Sequence, residues 1–500
     1  MKPCLVMEDH SHAYGFWKEL GISGAVCVHV DAHLDVMDRG FSEPVLQRVA
    51  ACKGRSDLDE VTPPRFLPWG GVHCGNYLYP ALREGLVSHL VWVVPRPMVK
   101  DQPLIDFARE ELLNWVELTV EEFQGLKSDG LRVEGEIAGR RFTLCTAENL
   151  PPLDSGSPVL LDIDVDYFQS EGDLIWQSPG ELRSDLGLAN FDVLTIAVSV
   201  DGGYTCLEHR YLAEVTELVF GDSEAALWEQ RTQRVIAADR ERDGTSPVYE
   251  GIVEPSDPDW FRAAMEMKAA LSRGQTLPSA ATLAEAIDSR YKLSSFNEAL
   301  VHFRNKRFSE SIENLEEDHD HLFMRGVIAL QGGLLDLAQS SWEEFLETVE
   351  MGPLERAHAL FLRGQTLIQR QELPLALSDF KLATKLDPKN FHYLLFYGLA
   401  QQGAGELKNA AKSWRRALSL QGDRVFSVEL HLELSRLYRQ LGRAALAEAE
   451  LQRIQQKDKT GQYKMMIQME HLRSAKPRGL DEGLSERGLW RTGMNMVGAL

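Results

Sequence analysis

The stretch Val26-Cys27-Val28-His29-Val30-Asp31-Ala32-His33-Leu34-Asp35-Val36 decides how the first half of the chain is read. It opens as a run of apolar, mostly β-branched residues, the pattern of a strand covered on both faces of a parallel sheet. Two aspartates and a second histidine follow at a spacing of two. An interior does not hold that many ionisable groups without partners. A strand that ends at about Val30 resolves the conflict. Asp31, His33 and Asp35 then lie just past its carboxyl end, where open α/β sheets carry their ligand-binding groups. If the chain stays extended, the spacing of two puts all three on one side. Close carboxylates need a proton or a cation between them, and the added imidazole favours a cation. His29 has the same parity but precedes the motif, so it is expected to be a structural, hydrogen-bonded residue within the sheet.

The same arrangement occurs twice more. Leu160-Leu161-Asp162-Ile163-Asp164-Val165-Asp166-Tyr167-Phe168 ends another apolar run with three alternating carboxylates, read as facing one way. Met7-Glu8-Asp9-His10-Ser11-His12 follows the short apolar Leu5-Val6 and brings a histidine to a third strand end. Oxygen donors with one or two imidazoles suit Mn²⁺, and less often Fe²⁺, Co²⁺ or Zn²⁺. Carboxylates able to bridge suggest two metals. Further strands are expected at 90–95 and 193–200, a helix at 101–115 and a small hairpin insertion at 132–144, so residues 1–260 read as an α/β domain with a mainly parallel sheet.

The second half reads differently. Gly364 and Gly398 are 34 residues apart, as are Ala376 and Ala410, Phe380 and Trp414, Ala383 and Ala417, and Leu386 and Leu420. A fixed period of this length marks a helical repeat array, in which small residues let paired helices approach and bulky ones fill the gaps. Shifted copies keep Gly326, Ala338 and Trp342 before this pair, and Ser435, Ala447 and Leu451 after it. A degenerate copy starts near Ser295, so the array is expected over 295–456. A helical linker is expected at 261–294, and a capping helix with a loose tail at 457–500.

Composition narrows the function. The chain has 500 residues, 26% of them charged, and a net charge of -22, which argues against nucleic acid or anionic lipid as partner. Its six cysteines form no CxxC pair, and no apolar run is long enough to span a membrane, so a cytoplasmic protein with reduced thiols is expected.

The array pattern resembles the tetratricopeptide repeat, down to Asp387-Pro388 at the end of one copy. Such arrays bind peptides or partner proteins. In the first half, Asp31-Ala32-His33-Leu34-Asp35 resembles the DAHxD motif of the arginase/agmatinase superfamily. Asp9-His10-Ser11 is similar to the end of its GGDHS motif, and Asp162-Ile163-Asp164-Val165-Asp166 to its SxDxD motif, with Asp162 in the serine position. More narrowly, the two aspartate-rich runs resemble the peptide arginases, which convert arginine side chains within a peptide to ornithine and urea. The resemblance covers roughly residues 1–220. It implies a three-layer α/β/α domain and two manganese ions. His10, Asp31, Asp35 and Asp164 would hold one ion, and Asp31, His33, Asp164 and Asp166 the other. Water activated between them would attack the guanidinium carbon.

The sequence also departs from the family. Met7 and Glu8 stand where the motif has glycines, and Tyr167-Phe168 where it has Asp-Pro. There is no clear match to the loop that holds the α-carboxylate and α-amine of free arginine, which favours an arginine-containing peptide as substrate. By resemblance, His73 in the loop 69–76 is a candidate proton shuttle, and Asp201 a candidate for binding the guanidinium, with Glu254 as its rival. Asn76 is a candidate for the substrate entrance. Two other functions fit the same residues: a small-molecule ureohydrolase or amidohydrolase, and a non-catalytic, metal-stabilised scaffold.

Overall fold

The computed structural model describes residues 2–38, 41, 43–61, 71–170, 174–201, 203–221, 225–240, 249, 251–304, 306–315, 319–421, 424–458, 461, 463–465, 467 and 468. The chain divides into two compact units. One is Met1–Pro63, Gly70–Glu111 and Leu126–Val301; the other is Pro64–Trp69, Leu112–Gly125 and His302–Leu500.

The first unit is a mixed α/β domain. In chain order its strands are β1 (Cys4–Met7), β2 (Ala25–Val30), β3 (Val87–Val93), β4 (Lys127–Ser128), β5 (Arg132–Ile137), β6 (Arg140–Cys145), β7 (Val159–Asp164), β8 (Gln169–Ser170), β9 (Leu174–Ile175) and β10 (Val193–Ala197). Eight of them form one sheet in the order β1-β10-β7-β2-β3-β6-β5-β4, with β8 and β9 a separate pair. The six strands from β1 to β6 in that order are parallel, and β5 and β4 are antiparallel additions. Every residue of β2, β7 and β10 is buried, as the unbroken apolar runs predict for strands covered on both faces. The hairpin expected at 132–144 forms, but it is no separate insertion. His89, Leu90 and Val91 of β3 pair with Arg141, Phe142 and Thr143, which adds the hairpin to the main sheet.

The chain order within the sheet fixes where a site can lie. From β2 the sheet grows through β3 to β6 on one side, then returns to place β7 and β10 on the other. Connections therefore diverge between β2 and β7, the crevice at which such sheets bind ligands. The register aligns the strand ends there: Met7 with Ala197, Ala197 with Asp164, and Ile163 with Val30. Helices Asp259–Ser272 and Leu277–Glu285 follow and bring Phe261, Met265, Ala280 and Ala284 into the core shared with Ile163, Ile196 and Tyr211.

The second unit is helical. Ser295–Arg304, at the junction of the two units, and Phe308–Glu313 precede four longer pairs: His319–Gln331 with Leu335–Thr348, Pro353–Gln369 with Leu373–Leu386, Phe391–Gly403 with Leu407–Gln421, and Phe426–Gln440 with Ala444–Lys457. The repeated glycines sit where the pairs touch. A Cβ on Gly326 would come within 2.8 Å of the Trp342 ring, and one on Gly364 within 2.7 Å of the Phe380 ring; Gly398 abuts Trp414 in the same way. Each Gly–aromatic match found at the 34-residue offset is thus one contact repeated along the array.

The period does not foretell that Leu112–Gly125 belongs to this unit. Val120 packs with Val428, Leu432, Leu451 and Ile454. Leu118 O accepts from Val425 N at 2.8 Å, Thr119 forms a β-bridge with Arg424, and Glu117 pairs with Arg424. No described helix is long and apolar enough to cross a membrane. Most of the expected tail at 457–500 lies outside the described residues.

Candidate metal centre

Four adjacent parallel strands deliver the site. His10 follows β1, Asp31 to Asp35 follow β2, Asp164 ends β7 with Asp166 just beyond it, and Ser199 follows β10. The chain does not stay extended past β2 or β7. Residues 31–33 bend, Asp35 takes a left-handed φ of 54°, and Val165–Phe168 form a 3₁₀ turn. The expected simple alternation is therefore replaced by turns, and these turns bring the carboxylates together.

His10 Nδ1 stands 3.4 Å from Asp31 Oδ2, 3.3 Å from Asp35 Oδ2 and 3.2 Å from Asp164 Oδ2. His33 Nδ1 stands 2.9 Å from Asp166 Oδ2 and 3.5 Å from Asp31 Oδ1. Four groups among the described residues have metal-ligand spacing, each with its ligand atoms within 4.8 Å of one another: His10–His29–Asp162 and His29–Asp31–Asp35 at the rear, and the two that these contacts define, His10–Asp31–Asp164 and Asp31–His33–Asp166. Asp31 belongs to both of the latter. Asp164, which the resemblance makes a bridge as well, belongs to the His10–Asp31–Asp164 group only, and its Oδ1 accepts from Asp166 N at 3.1 Å.

The electrostatics show what the cluster lacks. Burial and the neighbouring acid Asp31 push Asp35 up to about 7. Burial and neighbouring carboxylates also raise Asp164 and Asp166. For Asp31, burial and Asp164 push upward, but His29, His10 and His33 outweigh them and hold it below its usual range. Burial opposes charge on His10 and His33, yet the surrounding carboxylates win and hold both well above the usual imidazole value. Protons on imidazoles and carboxylates are thus the positive charge that offsets the acids. His10 Nδ1 and Asp31 Oδ2 are buried without a hydrogen-bond partner. An oxygen-rich set with two imidazoles and two unsatisfied buried atoms could hold a metal ion.

The other candidate residues take different places. Asn76 is buried and braces its own loop: its Oδ1 accepts from His73 N at 2.8 Å and its Nδ2 donates to Gly71 O at 3.2 Å. The part of the expected loop at Trp69 and Gly70 lies outside the described residues. Burial pushes His73 down to about 4, so it is uncharged at neutral pH. Its Nδ1 accepts from Gly75 N at 3.2 Å, which leaves the proton on Nε2. Asp201 lies in the loop after β10, where Glu8 accepts from the backbone N of Val200 at 2.8 Å and of Asp201 at 2.5 Å. Glu8, where the resembled motif has glycine, therefore clamps this loop. Glu254 is largely exposed and pairs with Arg231 at 3.3 Å.

Three contributors were not among the sequence candidates. Ser199, at φ 52°, donates to Asp164 Oδ2 at 2.6 Å. Tyr77 donates to Asp162 Oδ2 at 2.6 Å. Tyr204, 41% exposed, stacks on the His33 ring with centroids 4.3 Å apart. Asp162 itself does not join its two neighbours. It lies behind His10, on the Nε2 side, at 3.1 Å.

No curated protein matches the chain. A family model described as tetratricopeptide repeat matches residues 323–391 and 398–461. Among solved structures, a MamA structure labelled AMB-1 is 20% identical over 35% of this chain and 94% of that one, with a TM-score of 0.29. Another MamA structure is 15% identical over 33% of this chain and 91% of that one, with a TM-score of 0.30. A thermophilic TPR protein of Thermus thermophilus is 18% identical over 36% of this chain and 98% of that one, with a TM-score of 0.26. The residues matched by the family model fall on the four longer helix pairs, three of which carry the Gly–aromatic contact, and this part of the chain is a tetratricopeptide repeat array.

Proposed function

We propose that the first unit is a binuclear metal hydrolase of the arginase-like kind. It would act on the guanidinium of an arginine side chain within a peptide, yielding ornithine and urea. The observation that carries this reading is the pair of ligand groups sharing Asp31 at the β2–β7 crevice. His10, Asp31, Asp35 and Asp164 would hold one cation, and Asp31, His33 and Asp166 the other. Two bound Mn²⁺ ions would supply Lewis-acid polarisation and a water that ionises near neutral pH.

The chain's own residues account for the rest. The buried carboxylates attract a cationic side chain. Tyr204 and the outer edge of His33 form an exposed aromatic rim on which a planar guanidinium can stack. Glu8 fixes the backbone at Val200 and Asp201, the segment that carries the Asp201 carboxylate. The tetratricopeptide array serves as a protein-interaction scaffold and would recruit the peptide or a partner protein. A cytoplasmic location is part of the same proposal.

The test incubates the full chain and Mn²⁺ with arginine-bearing peptides, free arginine and agmatine. Urea release from peptides, with the loss of one CH₂N₂ unit by mass, supports the reading. Release only from free arginine or agmatine moves the assignment to a small-molecule ureohydrolase. Cation uptake with no urea from any substrate leaves a metal-stabilised scaffold.

A further inference from the structure

Asp162 stands in the serine position of the resembled motif and groups with His10 and His29, behind the two proposed cation sites. It is fully buried and both of its oxygens are in use. Oδ1 accepts from Thr195 Oγ1 at 2.5 Å and lies 3.1 Å from His10 Nε2, whose hydrogen-bond partner is Tyr77 Oη at 2.9 Å. Oδ2 accepts from Tyr77 Oη at 2.6 Å and lies 2.9 Å from His29 Nδ1. Because a carboxylate only accepts, His29 must present N–H to it; and because Tyr77 gives its hydrogen to Asp162, His10 Nε2 must present N–H to Tyr77 Oη. His10 then keeps its proton on Nε2, and a cation among Asp31, Asp35 and Asp164 would displace the proton on Nδ1 and take that lone pair. His29 is held through Nδ1, and its Nε2 lies 3.1 Å from His33 O and 3.3 Å from Asp31 Oδ2.

We propose that Asp162 is a positioning residue common to both cation sites. It sets the His10 tautomer for the first site and, through His29, the backbone of His33 and the shared Asp31 for the second. The inference rests on the metal-site reading and goes beyond it, since it assigns the fixing of both sites to one carboxylate that touches neither cation. Carboxylate partners behind a ligating histidine fix its tautomer and ring orientation. Here one carboxylate does so for two rings leading to two sites. Asp162→Asn keeps the shape but replaces one acceptor with an N–H₂ donor. Whichever way the amide turns, it opposes a donor already in place.

The experiment titrates the full-length chain with Mn²⁺ alone by calorimetry, wild type against Asp162→Asn. Folding is monitored by circular dichroism. The expected result is two binding steps in wild type and both weakened on the order of 10–100-fold in the variant. Unchanged binding in a folded variant, or loss confined to one step, overturns the proposal and leaves the metal-site reading intact. A wild type that takes up no cation overturns both. Should the variant fail to fold, ¹⁵N NMR of the histidines in the Zn²⁺-loaded wild type decides the matter. His10 with its proton on Nε2 supports the proposal, and a proton on Nδ1 overturns it.

Discussion

Ser199 donates its hydroxyl hydrogen to Asp164 Oδ2 at 2.6 Å, so the end of β10 braces a carboxylate at the end of β7. The bond requires a left-handed φ of 52° at a residue with a side chain, a conformation tolerated where the surroundings fix it. Ser199→Ala removes the only hydroxyl donor to that oxygen among the described residues. Mn²⁺ affinity at the first site is expected to fall by about 1 kcal/mol, roughly fivefold, by calorimetry.

The array makes a separate prediction. Gly364→Ala places a methyl group 2.7 Å from Phe380 Cε1, inside a contact with no slack. Overpacking of this kind costs about 1–3 kcal/mol. Urea denaturation followed by helical circular dichroism should show the loss. Gly405→Ala meets no neighbour within 4 Å but stands at φ 77°, so its cost comes from backbone strain instead.

His358 gives the array a pH dependence. It is 2% exposed among Phe323 and Phe361, and burial pushes it down from 6.5 to about 3. Between those values the unfolded chain binds a proton that the folded chain refuses. Stability should therefore fall as pH drops from about 6.5 toward 3, and stay level above 6.5. Denaturation midpoints at pH 7 and pH 5 measure this; His358→Phe should narrow the gap between them.

Leu112–Gly125 depends on Val120 for its place in the helical unit. Val120→Asp buries a carboxylate among Val428, Leu432 and Leu451. Limited proteolysis should then cut within 112–125 faster than in wild type, while cuts elsewhere keep their rates.

Much of this was legible in the sequence. Buried parallel strands write themselves as unbroken apolar runs, and the polar residues after each run mark the strand ends; His10, Asp31, His33, Asp35, Asp164 and Asp166 become candidates that way. The 34-residue period did the same for Gly364 and Gly398. What stayed hidden depends on long-range placement. Asp162 shares its parity with Asp164, and only the position of His10 and Tyr77 behind it shows that its carboxylate serves the rear of the site. Tyr77 lies 85 residues from Asp162, with no local signal to link them. The turns at Asp35 and Val165–Phe168 broke the extended geometry that spacing alone assumes. Residues 112–125 joined the array through packing, to which a repeat period is blind.

The central claim is that Asp31 is shared by the two proposed cation sites while Asp166 serves one. Metal content after equilibration with Mn²⁺ and desalting tests it directly, in wild type, Asp31→Asn and Asp166→Asn, each checked for folding. The account predicts two ions per wild-type chain, one in Asp166→Asn and none in Asp31→Asn. Two ions retained in folded Asp31→Asn, or none in wild type, would contradict it.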